Sequence, residues 1–334
     1  DHYDRGAWDF MVNEGPGYVP PDYGLVVRFK QPAGHGTHIH LGTTTSYIDI
    51  DTEDYSRALD VVQHEYGHWV MYKAYNNWWP PNTGGTHYIH LRSNPNMAWT
   101  EGWADFFPLA VQSYGRWEDP VFEWGTGAQL NLETKTWGTS GWDNGDEVEG
   151  RVAGALWDVF DSVNDGCNYN IWSEFIYYDT FTDGFLNIWN VLSSQTDATY
   201  AEFYGAWRSM GKNRHMLNFC SYQNTIDYNL SPNLFGGYVT PTAGYDSTTF
   251  TFWVRYQDLD NDYPWWTMRV YIYDGGWYYV SMDYYSGNPL DGMWFYKQLT
   301  GFSPGTHNFF FYAWDGIDED YDPASGYYSF TVSD

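Results

Sequence analysis

Val62-Gln63-His64-Glu65-Tyr66-Gly67-His68 is the stretch on which the reading of this chain turns. Two histidines four apart on a helix project from one face, one turn apart, which is the reach needed to grip a single zinc ion. Glu65 lies on the flank of that face, where it can take a proton from water instead of joining the coordination shell. Around the motif, Leu59, Val62, Tyr66, Trp69 and Val70 recur at three- and four-residue spacing and predict a helix over 54–75. Asn76-Asn77-Trp78-Trp79-Pro80-Pro81 ends it, because paired prolines cannot continue a helix.

Two histidines leave a catalytic zinc short of a protein ligand. A third histidine six residues beyond His68 is excluded, because position 74 is Ala. The first acid after Glu65 is Glu101, in Trp99-Thr100-Glu101-Gly102-Trp103-Ala104-Asp105. A helix starting near Met97 or Thr100 lets Glu101 reach back to the metal and sets Asp105 one turn on, along the same face. There Asp105 can accept the free ring N–H of His64 and fix its tautomer. Pro108 is expected to bend or end this helix. His87 and His90, in the loop between the helices, are the rival third ligands, and a plain helix N-terminal acid is the rival reading of Glu101. For the donor that steadies the oxyanion of a cleaved amide, the candidates are Tyr88, His87, His90 and Arg151. Tyr88 stands first because it lies shortly before Glu101.

His64-Glu65-Tyr66-Gly67-His68 followed by Glu101-Gly102-Trp103-Ala104-Asp105-Phe106-Phe107 resembles the gluzincin metallopeptidases, the fungalysin type above all and thermolysin more distantly. The resemblance implies zinc held by His64, His68 and Glu101, Glu65 as catalytic base and Asp105 behind the ligands. It covers about 45 residues, and the departures are a short stretch before His64 and a different spacer to Glu101. These leave room for a reduced amino-terminal lobe and a different cleft. The implied fold is an α+β zincin-like catalytic domain, and the implied activity is that of a zinc metalloendopeptidase.

Working outward, 26–29, 37–41 and 47–50 read as short strands, and the alternation is clearest in Tyr47-Ile48-Asp49-Ile50-Asp51. The 47–51 strand, just before the metal helix, is expected to pair with an extended substrate. Helices are predicted over 147–160, 184–192 and 200–210. Past Ser231-Pro232-Asn233 the chain becomes a run of short strands over 250–256, 268–274, 277–283, 293–299, 306–315 and 327–333, with Gly- and Pro-rich turns between them. That spacing predicts an all-β immunoglobulin-like sandwich. The expected division is 1–232 for the catalytic domain and 236–334 for the accessory sandwich.

Forty-three acids stand against 15 Lys plus Arg, a formal charge of −28 that argues against nucleic acid or anionic membrane as a partner. The apolar runs are too short to span a bilayer. A secreted or cell-surface protein acting on protein or peptide substrates is the expectation. Clustered carboxylates suit calcium, and Asp258, Asp260 and Asp262 are the candidates, with 143–147 and 315–322 as further acidic clusters. Solvated acidic turns are the alternative. If Cys167 and Cys220 pair, the closed loop of about 54 residues contributes about 4 kcal/mol; two separate buried thiols are the other possibility. Twenty Trp and 32 Tyr exceed ordinary core use. Exposed rings in the β-domain suit polysaccharide, a cell surface or self-association, whereas cross-strand pairing is the plainer account. Two other functions compete: a surface or filament-forming structural protein that kept a peptidase scaffold, and a carbohydrate-binding protein with a structural zinc.

Overall fold

A computed structural model describes residues 3–14, 25–31, 36–51, 59–114, 119–124, 128–134, 140–161, 184–259, 262–265 and 268–334. The chain divides into two compact units, Asp1–Asp227 and Tyr228–Asp334. It is a mixed α+β chain with several sheets, and its carboxy-terminal unit is β-rich.

In chain order the first unit runs α1 (Tyr3–Glu14), β1 (Leu25–Gln31), β2 (His38–His40), β3 (Ser46–Asp51), α2 (Leu59–Ala74) and α3 (Pro95–Ser113). It continues with β4 (Val121–Glu123), β5 (Gln129–Asn131), α4 (Glu149–Phe160), α5 (Gly184–Leu192), α6 (Tyr200–Ser209) and α7 (Arg214–Gln223). β1, β3 and β2 form one sheet in that order, β1 parallel and β2 antiparallel to β3. The 47–51 strand expected to meet substrate is therefore central, with both edges already hydrogen-bonded. β1 and β2 hold the two edges instead, because the chain turns back after Leu41 and inserts β3 between them.

α3 starts two residues earlier than the apolar spacing suggests. Asn94 caps it, its side-chain oxygen accepting from the N–H groups of Asn96 and Met97 at 3.1 Å, and Pro95 occupies the first turn, where no N–H partner is needed. Pro108 does not end the helix, which runs on to Ser113. An interior proline costs about 3 kcal/mol. Here burial of every residue from Met97 to Val111 offsets that cost. Trp99, Trp103, Trp157, Trp189 and Trp207 are all fully buried, so much of the tryptophan excess is helical core.

The helices that carry the candidate site approach each other closely. The Trp103 indole N–H donates to the Gly67 carbonyl at 3.0 Å, fastening α3 to α2, and a Cβ on Gly67 would sit 3.1 Å from Phe107. A Cβ on Gly102 would lie 2.7 Å from both the Glu149 carbonyl and Val152 Cβ, so α4 packs directly on the position after Glu101. Gly102→Ala is expected to cost about 1–3 kcal/mol by overpacking. Thermal denaturation should show a Tm lower by several degrees; an unchanged Tm would mean that this interface adapts freely.

The second unit comprises β6 (Asn233–Thr240), β7 (Ala243–Tyr245), β8 (Phe250–Gln257), β9 (Arg269–Tyr273), β10 (Trp277–Ser281) and β11 (Asp283–Ser286). It ends with β12 (Met293–Leu299), β13 (Gly305–Trp314), β14 (Glu319–Asp322) and β15 (Tyr328–Ser333). One sheet runs β11-β12-β8-β6; the other runs β10-β9-β13-β15-β7, with β14 also on β13. Strict alternation buries Phe250, Phe252, Val254 and Tyr256 from β8 against Phe309, Phe311 and Ala313 from β13, so the two sheets share one core. On the outer side Tyr271 faces Tyr279 and Phe310 across strands, stacking on Phe310 at 4.8 Å. Trp277 and Tyr279 remain about half exposed.

Candidate metal centre

α2 and α3 bring the motif residues together. His64 Nε2 and His68 Nε2 each lie 3.2 Å from the same oxygen, Glu101 Oε2. A tetrahedral zinc with bonds of about 2.05 Å would separate its ligand atoms by about 3.3 Å, so the spacing suits one shared ion. His64 Nδ1 lies 2.9 Å from Asp105 Oδ1 and donates its proton there. That bond leaves His64 Nε2 with a lone pair aimed at a carboxylate oxygen, an arrangement that calls for a proton or a metal between them. Burial works against charge on His64, but Asp105 and Glu101 outweigh it and raise its pKa well above the usual range. Burial likewise opposes ionisation of Glu101, yet His68 and His64 hold its pKa well below the ordinary carboxylate value. Two imidazoles and one carboxylate are a donor set suited to zinc.

These three side chains open on a cavity of about 740 Å³. Glu65 lines it and is itself buried; burial raises its pKa, while His64 and His68 oppose the rise. His87 enters from the loop before α3. Its Nε2 is 4.0 Å from Glu101 Oε2, and its Nδ1 is 2.6 Å from Glu149 Oε2 in the first turn of α4. The Glu149 hydrogen bond lifts the His87 ring to about 9, and burial lifts Glu149 to about 7.

The other sequence candidates fall elsewhere. Tyr88 lines the cavity but is 57% exposed, and its ring packs 6.1 Å from that of His90. His90 also lines the cavity, with its ring against Trp142. Arg151 is fully buried, donates from Nε to the Asp143 carbonyl and lies over Trp142, away from the cavity wall. Asp258 and Asp262 are buried at the end of β8, where Asp258 accepts from the Asp262 N–H and the Tyr256 hydroxyl; Asp260 lies outside the described residues. Asp315, Asp318, Asp320 and Asp322 accept from Asn229, Ser231 and the N–H groups of Leu234 and Gly237, which ties β14 to the start of the unit. Asp143 and Glu147 hold Arg92. Cys220 is fully buried and Cys167 lies outside the described residues.

Among the described residues, two groups of three His, Cys, Asp or Glu side chains bring ligand atoms within 4.8 Å of one another: His64 with His68 and Glu101, and His38 with His40 and Asp49. The second group, and Glu149 behind His87, escaped the sequence reading. His38-Ile39-His40 carried a signal, since alternate residues of a strand share a face. Glu149 carried none, being 62 residues from its partner.

No helix among the described residues is long and apolar enough to cross a membrane. A family model described as the mycolysin C-terminal domain matches residues 24–225, well over half the chain and a span that includes both helices of the site. That domain is associated with metallopeptidases of the thermolysin-like kind. No curated protein matches the chain.

Proposed function

The chain belongs to the mycolysin C-terminal domain family, and we propose that it is a secreted zinc-dependent endopeptidase. One observation carries the reading: His64 Nε2 and His68 Nε2 converge on Glu101 Oε2 at 3.2 Å each, beside a buried Glu65 and an open cavity. In this reading the first unit is a zincin-like catalytic domain and the second an immunoglobulin-like accessory sandwich.

His64, His68 and Glu101 would hold the ion, with Asp105 fixing His64 in the tautomer that presents Nε2. A bound zinc supplies Lewis acidity and makes water a nucleophile near neutral pH. Glu65 takes the proton released as water attacks the peptide carbonyl and returns it to the leaving amine. His87, held by Glu149, is better placed than Tyr88 or Arg151 to donate to the developing oxyanion, because its Nε2 faces the Glu101 carboxylate. β2, at the sheet edge and on the cavity wall, offers main-chain partners to an extended substrate in place of β3. Asp258 and Asp262 enter the proposal as calcium ligands on their chemistry alone, as buried oxygen donors; a Tm lowered by a calcium-selective chelator is the corresponding test.

Casein incubated with the protein should be cleaved, a zinc chelator should stop cleavage, and added zinc should restore it. Cleavage unaffected by the chelator would end the reading. His87→Ala should lower kcat on the order of 100-fold with zinc content unchanged. Glu149→Gln, which only loosens His87, should cost about tenfold. Steady-state kinetics beside metal analysis would check both, and a normal kcat in His87→Ala would return the donor role to Tyr88.

A further inference from the structure

The sheet edge carries a second constellation that the peptidase reading does not use. Across the sheet, Arg28 on β1, Asp49 on β3 and His38 on β2 stand in register, and His40 follows His38 on the same face. His38 Nε2 lies 3.2 Å from His40 Nε2 and 3.7 Å from Asp49 Oδ2. The 3.2 Å separation again matches the edge of about 3.3 Å between two nitrogens on one tetrahedral zinc.

The proton positions sharpen the case. His38 Nδ1 lies 3.0 Å from the Gly36 carbonyl and donates to it, so the neutral ring presents a bare lone pair at Nε2. That lone pair faces the buried Asp49 carboxylate and a second imidazole nitrogen. Arg28 grips Asp49 through two guanidinium nitrogens, which orients the carboxylate and lowers its pKa, keeping it ionised. A ligand histidine whose other nitrogen donates to a backbone carbonyl, beside a carboxylate held by its own partner, is the usual surrounding of a bound transition metal. About two-fifths of the His38 side chain is exposed and both histidines open on the cavity, so an ion can enter.

We propose that His38, His40 and Asp49 form a second site for a zinc-like divalent cation, across β2 and β3 beside the candidate catalytic centre and separate from it. Its ligands share no residue with His64, His68 and Glu101. A hydrogen bond in which His40 Nε2–H donates to His38 Nε2 is the competing account of the 3.2 Å spacing, and the two differ in whether metal is taken up.

The test is a zinc titration of the metal-stripped full chain, read by calorimetry and by metal analysis after gel filtration. Wild type should bind two equivalents. His38→Ala/His40→Ala should bind one, and His64→Ala/His68→Ala should also retain one. The single change His40→Gln, at an exposed position, guards against loss of fold in the double variant and should weaken one equivalent at least tenfold. A wild-type stoichiometry of one, lost in His64→Ala/His68→Ala, would overturn this proposal and leave the peptidase site standing. One equivalent lost instead in His38→Ala/His40→Ala would support it while overturning the other site. Two equivalents persisting in His38→Ala/His40→Ala would also overturn it.

Discussion

Glu65→Gln is expected to abolish casein hydrolysis while zinc stays bound. The substitution keeps the shape of the side chain and removes the oxygen that accepts a proton. Glu65 is buried on the cavity wall, with both motif histidines acting on its carboxylate. A positioned general base contributes a factor of about 10²–10⁴, so kcat should fall on the order of a thousandfold. Paired measurements of turnover and zinc content decide the matter. Full activity with zinc retained would remove Glu65 from the chemistry; zinc lost along with activity would make it a ligand.

The second large effect is expected from Glu101→Ala, which should release zinc and erase activity together. Glu101 Oε2 is the point on which both imidazoles converge, so deleting it leaves two ligands and a gap. A ligand that binds only the folded state stabilises it by about 4 kcal/mol when present at a thousand times its Kd. The wild-type Tm should therefore fall on adding a chelator, and the Glu101→Ala Tm should not respond. Stoichiometric zinc in Glu101→Ala would point to His87, whose Nε2 lies 4.0 Å from that carboxylate, as the ligand in its place.

The parts of this molecule that were legible in sequence are those whose geometry is local. His64 and His68 share a helix face by spacing alone, and Glu101 and Asp105 repeat the same four-residue interval on α3. Strand alternation in 250–256 and 306–315 likewise reports its own buried face. Where tertiary packing decides, the sequence misled or was silent. Pro108 reads as a bend or an end, and of these the end does not occur, because the core on all sides of α3 carries the helix past it. Chain order places 47–51 next to the metal helix, but it does not say which strand ends a sheet. α7 gives no clear signal in sequence because Asn218, Ser221 and Gln223 are buried beside Leu217, Phe219 and Cys220, so no apolar stripe stands out. In α1 the helical spacing is short, carried by Ala7, Phe10 and Met11 alone among the buried residues described there. His87 and Glu149 meet where α4 packs closely on α3 at Gly102, a contact that no local pattern encodes.

The most direct measurement is an anomalous-difference map at the zinc edge from crystals of the zinc-loaded protein. A peak within about 2.2 Å of His64 Nε2, His68 Nε2 and a Glu101 oxygen, with a coordination position facing the cavity, is the predicted result. Zinc bound elsewhere, or a Glu101 carboxylate turned away from an ion on the two histidines, would contradict it.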